Sequence, residues 1–400
     1  MNDAWTPAEP ESVGLSSAGL AKIDAMLEDL IARGELPGAS ILVARHGKLV
    51  HRAVLGLKNL ATGEPLAEDT IFAIFSMTKP VTAVAMMLLF EEGRWSPDDP
   101  IAKHLPEFAE VRLLGGAAPD HAPTLGELMT HTAGLGYGIG LGPHDAVDQA
   151  YIDAGVWEAE SLADMARRVA AAPLAYQPGS AWRYSIAMDV QGAIIERLTG
   201  ETLPDFMRSR IFAPLRMDDT DFYVPEPKQP RRATLYHMYG APTLTVLDHP
   251  LFARDGVAIP KIPSGGGGLF STVTDYGRFA QMLLNKGELE GRRILKASSV
   301  ETMATNHLSP AILERGVEAG MQHIRQGFGY GYNGAVCDDP VLAKADVGAG
   351  TYQWDGASGV WFWVHPENDL IFVGMIQRMM QEGMPRLQAM TQRMVKEAMA

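Results

Sequence analysis

Segments with strand character lie near both ends of the chain, and the long stretch between them is helical in pattern. Near the start, residues 40–45 and 49–55 are strand-like and flank a turn at 46–48. Near the end, residues 359–365 and 369–376 are rich in Val, Ile, Trp and Phe and flank a Pro-Glu-Asn turn. The simplest fold is an α/β (α+β) body whose antiparallel sheet is assembled from both chain ends and flanked by helices.

The chain between the strand-rich ends predicts a separate, mainly helical unit. At 400 residues the chain is long enough for two packed domains. We expect residues 1–80 and 251–400 to form an α/β domain and residues 81–250 to form an inserted helical domain. An amphipathic helix is predicted over 16–33, and a closing helix from about Met384. The cleft between the two domains would hold the active site.

Charge and hydropathy exclude several kinds of partner. The net charge is −14 and the pI is near 5.2, and no Lys/Arg block suits a nucleic acid. The longest apolar stretch, 81–90, is far shorter than the roughly 20 residues that a membrane-spanning helix needs. The first residues lack the basic start and apolar core of a signal peptide. The single cysteine, Cys337, excludes an intrachain disulfide and has no metal-ligand spacing around it, which indicates a structural or incidental thiol. These features favour the cytoplasm.

The segment Ser76-Met77-Thr78-Lys79 opens a predicted helix over 77–92. Pro80 is tolerated there because first-turn amides have no partner within the helix. Beyond Pro80 the helix is apolar on all sides, which predicts a place in the centre of the protein. Ser76 would therefore be held rigidly at the positive end of a helix dipole.

Lys79 follows Ser76 by three residues, so the two side chains share one helix face. A lysine amine that is shielded from water shifts towards its neutral form, which can accept the serine proton. Ser-x-x-Lys is a short motif that arises by chance, although this is its one occurrence in the chain. On these grounds alone, an ordinary helix-capping serine beside a surface lysine stays an alternative.

Several segments together resemble the serine β-lactamase and penicillin-binding-protein superfamily. Ser76-Met77-Thr78-Lys79 is similar to its nucleophile motif, and 124–135 to the following segment of class C β-lactamases and their esterase relatives. Tyr184-Ser185-Ile186 stands at the position of Tyr-x-Asn, and Trp354-Asp355-Gly356-Ala357 at that of Lys-Thr-Gly. Residues 265–272 resemble the glycine loop of this family. By itself, this loop predicts a tight turn before a helix over 275–285, because no Lys follows it as in a phosphate-binding loop.

Departures from the family pattern indicate the substrate. Trp354 replaces the Lys that would hold the carboxylate of a β-lactam, and Asp355 adds a charge that repels it. Ile186 lacks the amide that would bind an acyl amide. The Trp-x-Gly pattern resembles the family VIII carboxylesterases, which typically have Gly at the position of Asp355. The resemblance thus implies a serine carboxylesterase that acts on small, short-chain esters without a metal or cofactor.

The resemblance also implies roles for individual residues. Ser76 would form the acyl-enzyme, Lys79 and Tyr184 would transfer protons, and the backbone amides of Ser76 and Ala357 would form the oxyanion hole. The predicted substrate contacts are Trp354, Asp355, Gly356, Phe75, Tyr137 and Ile186. Three of them, Phe75, Tyr137 and Trp354, could also be ordinary core residues.

Other enzyme classes fit less well. An α/β-hydrolase needs a Gly-x-Ser-x-Gly elbow, which the chain lacks. His131 and His365 are candidate bases of a Ser-His-Asp triad, but His131 lies in the segment that resembles a structural motif of the family, and His365 sits beside a turn between strands. The 11 histidines lack the spacings of a metallohydrolase. On the same fold, a β-lactamase, a D-amino-acid peptidase or amidase, and an acyltransferase stay open. A non-catalytic penicillin-recognising module would not need Ser76, Lys79 and Tyr184 together.

Overall fold

The computed structural model describes residues 6–139, 145–248, 256–315, 317–319, 322–324 and 326–399. The α-helices are α1 Ser17–Ala32, α2 Thr78–Glu91, α3 Leu125–Met129, α4 Ala146–Asp153, α5 Leu162–Ala171, α6 Ala187–Thr199, α7 Leu203–Met207, α8 Ala213–Leu215, α9 Val273–Leu284, α10 Ala297–Met303, α11 Pro310–Arg315 and α12 Leu387–Ala398. The strands are β1 Thr6–Pro7, β2 Gly38–Arg45, β3 Lys48–Asn59, β4 Glu64–Pro65, β5 Phe72–Ala73, β6 Tyr236–His237, β7 Thr245–Val246, β8 Phe270–Ser271, β9 Glu288–Leu289, β10 Arg292–Arg293, β11 Val317–Ala319, β12 Gln322–Ile324, β13 Phe328–Tyr330, β14 Ala335–Cys337, β15 Tyr352–Gly356, β16 Val360–His365 and β17 Leu370–Met375.

The main sheet is assembled from both ends of the chain, as the sequence predicts. Its strand order is β1-β3-β2-β17-β16-β15-β14-β13, with β4 beside β3. Neighbouring strands are antiparallel except β1, which pairs with β3 in parallel, so the sheet is mixed rather than purely antiparallel. The predicted turn between β2 and β3 is formed by His46 and Gly47, both with positive φ, which suits a tight hairpin.

Helices cover both faces of the sheet. Along β16, alternate side chains point to opposite faces. Trp361 donates a hydrogen bond from its indole to Thr391 of α12, and Phe362 packs edge-on against Tyr276 of α9. The helix α1, capped by Ser16, packs against α12, β2 and β3 on the first face. Strands β2, β16 and β17 are therefore buried from both sides.

The helix α2 lies in the interior, as its apolar sequence predicts. Every residue from Thr78 to Leu89 is buried, and α2 packs against α6 and α10. Of the other predicted helices, α9 begins two residues earlier than expected. The closing helix begins at Leu387 rather than Met384, since Pro385 and the turn after it come first.

Helices α2 to α8 fill the region from Thr78 to Leu215, between the two strand-rich ends. The division into two domains stays a prediction, and its boundary at 250/251 lies outside the described residues. Within the described ranges, no helix is both long and apolar enough to cross a membrane.

Candidate active site

The nucleophile segment is held in an unusual backbone conformation. A short 3-10 helix, Phe75–Met77, leads directly into α2 and leaves Ser76 partly exposed. Phe75 has φ +43°, in the left-handed region that non-glycine residues rarely adopt. Such strain persists only where the surrounding structure enforces it, and it often marks a functional site.

Two side chains, those of Tyr184 and Lys79, reach the hydroxyl of Ser76. Its Oγ lies 2.7 Å from the Tyr184 hydroxyl, which comes from the loop before α6. The Lys79 Nζ lies 3.1 Å from the same Oγ and donates to it. The sequence predicts the contact between Ser76 and Lys79, which are one helical turn apart. Tyr184, 108 residues further along the chain, is brought to Ser76 by the fold.

Lys79 is completely buried, which changes its acid–base behaviour. Burial lowers the pKa of Lys79 to about 7, although the carboxylates of Asp189 and Asp355 act in the opposite direction. The Nζ also donates a 2.6 Å hydrogen bond to the Gly266 carbonyl. At neutral pH a large share of this amine is therefore neutral and able to accept a proton.

The glycine loop brings backbone into contact with Lys79. A Cβ on Gly266 would lie 2.8 Å from the Asp189 carboxylate, and one on Gly265 would lie 2.4 Å from the Met188 carbonyl. Residues without a Cβ let this loop approach α6 closely. The loop is therefore a structural support for Lys79.

Tyr184 is surrounded by aromatic rings. Trp354 stacks on it with ring centroids 6.0 Å apart, and Tyr137 contacts it edge-on at 5.5 Å. The Lys79 Nζ lies 4.6 Å from the centre of its ring. Burial raises the pKa of Tyr184 well above its ordinary value, and the hydrogen bond with Ser76 only partly offsets this. The phenol thus stays protonated at neutral pH and can act as a donor.

The end of β15 lies against the nucleophile segment. A Cβ on Gly356 would lie 2.3 Å from the Ile74 carbonyl, so only glycine permits this approach. The Ser358 hydroxyl, just beyond, donates to the Ala73 carbonyl at 2.7 Å. Among hydrogen bonds between described residues, none uses the backbone N–H of Ser76 or Ala357 as donor. Two unused donors on adjoining segments suit an oxyanion hole.

The predicted substrate contacts occupy different positions. Trp354 and Tyr137 pack on Tyr184, while Phe75 packs with Leu235 and Met379 beside the nucleophile. Ile186, by contrast, has no exposed surface, and its amide donates to the Gly136 carbonyl. It precedes the buried face of α6 and packs into the core, which corrects the expectation that its side chain meets the substrate.

Among the described hydrogen bonds, neither candidate triad histidine bonds to Ser76, although the His131 ring lies 4.9 Å from that of Tyr184. His131 is buried, and its Nδ1 bonds with Ser185 Oγ at 2.9 Å. His365 lies at the opposite end of β16 from the Gly356 pairing and accepts a hydrogen bond from the Gly348 amide. Neither position serves a Ser-His-Asp triad at Ser76.

Sequence patterns did not reveal two groups that surround Lys79. One is the Gly266 carbonyl, and the other is Asp189, which accepts a 2.5 Å hydrogen bond from Ser264 Oγ. The one available signal is a carboxylate in the first turn of α6, on the buried part of that helix. In the described ranges, no group of three or more His, Cys, Asp or Glu side chains is placed to hold a metal ion.

Comparison with known proteins agrees with this geometry. The Beta-lactamase family profile matches residues 23–393. The chain belongs to the beta-lactamase family. Esterase EstB of Burkholderia gladioli is 34% identical over 377 residues, covering 88% of this chain and 90% of EstB. Lovastatin esterase of Penicillium rubens is 30% identical over 89% of this chain and 92% of its own.

Solved structures share the fold over nearly the whole length of this family member. EstCE1, described as a hydrolase with promiscuous acyltransferase activity, superposes with a TM-score of 0.80. It is 27% identical, and the match covers 96% of this chain and 98% of that of EstCE1. The predicted β-lactamase-like fold is therefore confirmed, and the protein is a serine hydrolase.

Proposed function

We propose that the protein is a serine carboxylesterase that hydrolyses small, short-chain carboxylic esters through an acyl-enzyme on Ser76. The observation that carries this proposal is the pair of hydrogen bonds at Ser76 Oγ, 2.7 Å to Tyr184 and 3.1 Å to Lys79. A nucleophile, a neutral amine and a protonated phenol are then in contact, which is what acyl transfer to a hydroxyl requires. The esterases among the relatives support the ester as substrate.

In the acylation step, Ser76 Oγ attacks the ester carbonyl carbon while neutral Lys79 accepts its proton. The carbonyl oxygen becomes negative and receives hydrogen bonds from the Ser76 and Ala357 amides. When the tetrahedral intermediate collapses, Tyr184 donates its proton to the departing alcohol oxygen, and the Lys79 ammonium restores it. The net transfer is one proton from Ser76 to the alcohol.

Deacylation repeats these steps with water as the nucleophile. Lys79 and Tyr184 together take a proton from water as its oxygen attacks the acyl carbon, and Ser76 Oγ leaves as the alcohol. The same two side chains therefore serve both half-reactions, as microscopic reversibility requires. Their hydrogen bonds form one connected set, so removing either one should disable both half-reactions.

The surroundings of Ser76 favour a neutral ester over an anionic β-lactam. Trp354 is 4% exposed and offers an indole face where the family carries a cation. Asp355, the next residue, has a carboxyl group that is ionised above pH about 7 and then repels an anionic substrate. The carboxylate of a β-lactam would thus lose an attractive partner and gain a repulsive one.

The nucleophile is tested by Ser76→Ala. We expect p-nitrophenyl acetate hydrolysis to fall to background, with an unchanged circular dichroism spectrum and melting temperature. Ser180→Ala, at an exposed serine, is the matched control and should keep full activity. Near-native activity in Ser76→Ala would remove Ser76 from the mechanism.

The substrate class is tested by a panel of short-chain esters, a chromogenic cephalosporin and D-amino-acid amides. We expect kcat/KM to be far higher for the esters than for the other two classes. Comparable values for the cephalosporin would point to a β-lactamase, and a preference for the amides to a peptidase or amidase.

Transfer of the acyl group to an alcohol is a second candidate function, because EstCE1 combines hydrolysis with acyltransferase activity. Adding a primary alcohol to the ester assay distinguishes the two. A transferase forms the new ester in preference to the free acid, whereas a hydrolase continues to release mainly acid.

A further inference from the structure

Asp355 points away from the aromatic wall of the active site. In β15, successive side chains face opposite sides of the sheet. Trp354 faces Tyr184, whereas Gln353 accepts a 2.6 Å hydrogen bond from Gln392 of α12 on the other side. Asp355 shares the side of Gln353 and lines the space between β15 and the segment leading into α12.

The Asp355 carboxyl group makes no hydrogen bond or ion pair with any described part of the chain. It is partly buried, and burial raises its pKa to about 7, while the Lys79 amine acts in the opposite direction. A desolvated carboxylate without a partner is unfavourable. A bound ligand that supplied a donor or a positive charge would relieve this cost.

The space beside Asp355 is a cavity of about 440 Å³, within the usual size of small-molecule sites. Apolar side chains form most of its wall, among them Phe328, Val360, Met380 and Met384. The other charged residues that line it in the described ranges are Glu382 and Arg386. Glu382 and Arg386 are exposed, and their charges are opposite to each other. Asp355 is therefore the charged residue that is partly buried in the cavity wall.

This cavity adjoins the reacting centre. Trp354 borders both, and the Met380 amide donates a 2.7 Å hydrogen bond to the Ala357 carbonyl at the proposed oxyanion hole. Among the described strands, β14 pairs with β15 at Tyr352 and Gln353 and not beyond, so the β15 edge opposite β16 has no strand beside it from Trp354 to Gly356. A substrate held at Ser76 can therefore extend across this edge towards Asp355.

We propose that Asp355 and this cavity form a subsite for a cationic group of the substrate, so that the enzyme selects esters bearing a quaternary or protonated amine. The apolar wall would hold the alkyl part of the cation, and the Asp355 carboxylate would supply the opposite charge. The inference rests on the proposed esterase function and specifies its substrate class.

The test compares substrates that differ in charge but hardly in shape. Acetylcholine and 3,3-dimethylbutyl acetate place the difference in the alcohol. The p-nitrophenyl esters of betaine and of 3,3-dimethylbutanoate place it in the acyl group. For each pair, kcat/KM for the cationic ester is divided by kcat/KM for the neutral ester. The double ratio is this value in the wild type divided by the same value in Asp355→Asn. The difference in intrinsic reactivity between the two esters then cancels.

We expect this double ratio to be about tenfold or more at pH 8 for at least one pair, since one charge–charge contact worth about 1.4 kcal/mol gives that factor. Glu110→Gln removes the same charge at a site that is 85% exposed and should leave both ratios at the wild-type value. Double ratios within about twofold of one for both pairs would overturn the proposal.

A second measurement needs no variant. Choline and its neutral isostere 3,3-dimethylbutan-1-ol are compared as inhibitors of wild-type hydrolysis of a neutral ester. Choline should bind more tightly at pH 8, and its advantage should shrink at pH 6 as Asp355 takes up a proton. In the described structure, Lys79 and Tyr184 interact electrostatically with Asp355 through the sheet, and Glu382 and Arg386 line the same cavity. Equal inhibition by the two compounds at pH 8 would contradict the subsite.

Failure of the subsite and failure of the esterase proposal give different results. If the wild type hydrolyses neither the neutral nor the cationic esters, the esterase proposal itself fails. If it hydrolyses them in a Ser76-dependent way but Asp355→Asn leaves the ratios unchanged, only the cation subsite is wrong.

Discussion

Replacing Lys79 by Met separates the charge of this side chain from its volume. Lys79 is buried without an ion-pair contact in the described structure, and its Nζ is held by Ser76 Oγ and the Gly266 carbonyl. Methionine fills similar space with a flexible apolar chain. The variant should lack activity, and its stability should depend on pH in a different way from that of the wild type.

The magnitude follows from the pKa of Lys79, which burial lowers from 10.5 to about 7. Between these values the unfolded chain binds more protons than the folded one, so this lysine makes the free energy of unfolding rise with pH. At about 1.36 kcal/mol per pH unit, the gain between pH 6.5 and 9.5 is about 3 kcal/mol. Loss of the hydrogen bonds in Lys79→Met costs about 1–3 kcal/mol at every pH. The variant should therefore be more stable than the wild type by about 2–4 kcal/mol at pH 6.5, with no advantage at pH 9.5.

Urea unfolding of both proteins at four or five pH values from 6.5 to 9.5 measures this difference. Ser76→Ala is the control, because it is also inactive but keeps Lys79, and its stability should follow the wild-type pH dependence. The free energies of unfolding of the wild type and Lys79→Met are compared at each pH. If their difference changes by less than about 1 kcal/mol between pH 6.5 and 9.5, Lys79 titrates as an ordinary lysine and the argument is refuted.

Three further predictions concern the same site. First, kcat/KM for a neutral ester should fall as the pH drops through about 7, because Lys79 becomes protonated; a flat profile from pH 8 to 5.5 would exclude it as the base. Second, Tyr184→Phe should lower kcat by about 10²–10⁴-fold, and steady-state kinetics of the double variant with Lys79→Ala should show little additional loss, because both side chains serve one proton path; independent, additive losses would contradict that path. Third, Gly356→Ala should reduce both activity and melting temperature, because the new Cβ would meet the Ile74 carbonyl at 2.3 Å; an unaffected variant would show that β15 need not approach the nucleophile this closely.

Predictions that depend on local pattern agree with the structure. The helix capped by Ser16, the hairpin at His46 and Gly47, and the buried helix α2 each depend on residues within a few positions of one another. The contact of Ser76 with Lys79 has the same origin, since a separation of three residues fixes it once the helix forms. Periodicity and turn chemistry are properties of a short segment, so they can be recognised without the fold.

The direction in which a side chain points does not follow from the order of residues in its motif. Ile186 was expected in the substrate site, yet it packs in the core. The three-residue motif that contains it gives only the order of residues. The orientation of each side chain depends on how the loop before α6 meets Gly136 and the core, and no local pattern encodes that contact.

From the sequence by itself, the resemblance of several segments to one family predicted Ser76 as the nucleophile with Lys79 beside it. Short-range periodicity predicted the sheet formed from both chain ends and the helical stretch between them. Only the tertiary structure decided how the lysine is tuned and what faces the substrate. The Gly266 carbonyl reaches Lys79 across 187 residues, and Tyr184 reaches Ser76 across 108. The side on which Asp355 lies depends on the alternation of β15 within the assembled sheet. Strand pairing and close packing bring together groups that are far apart in sequence, and the pKa of Lys79 is set by that burial.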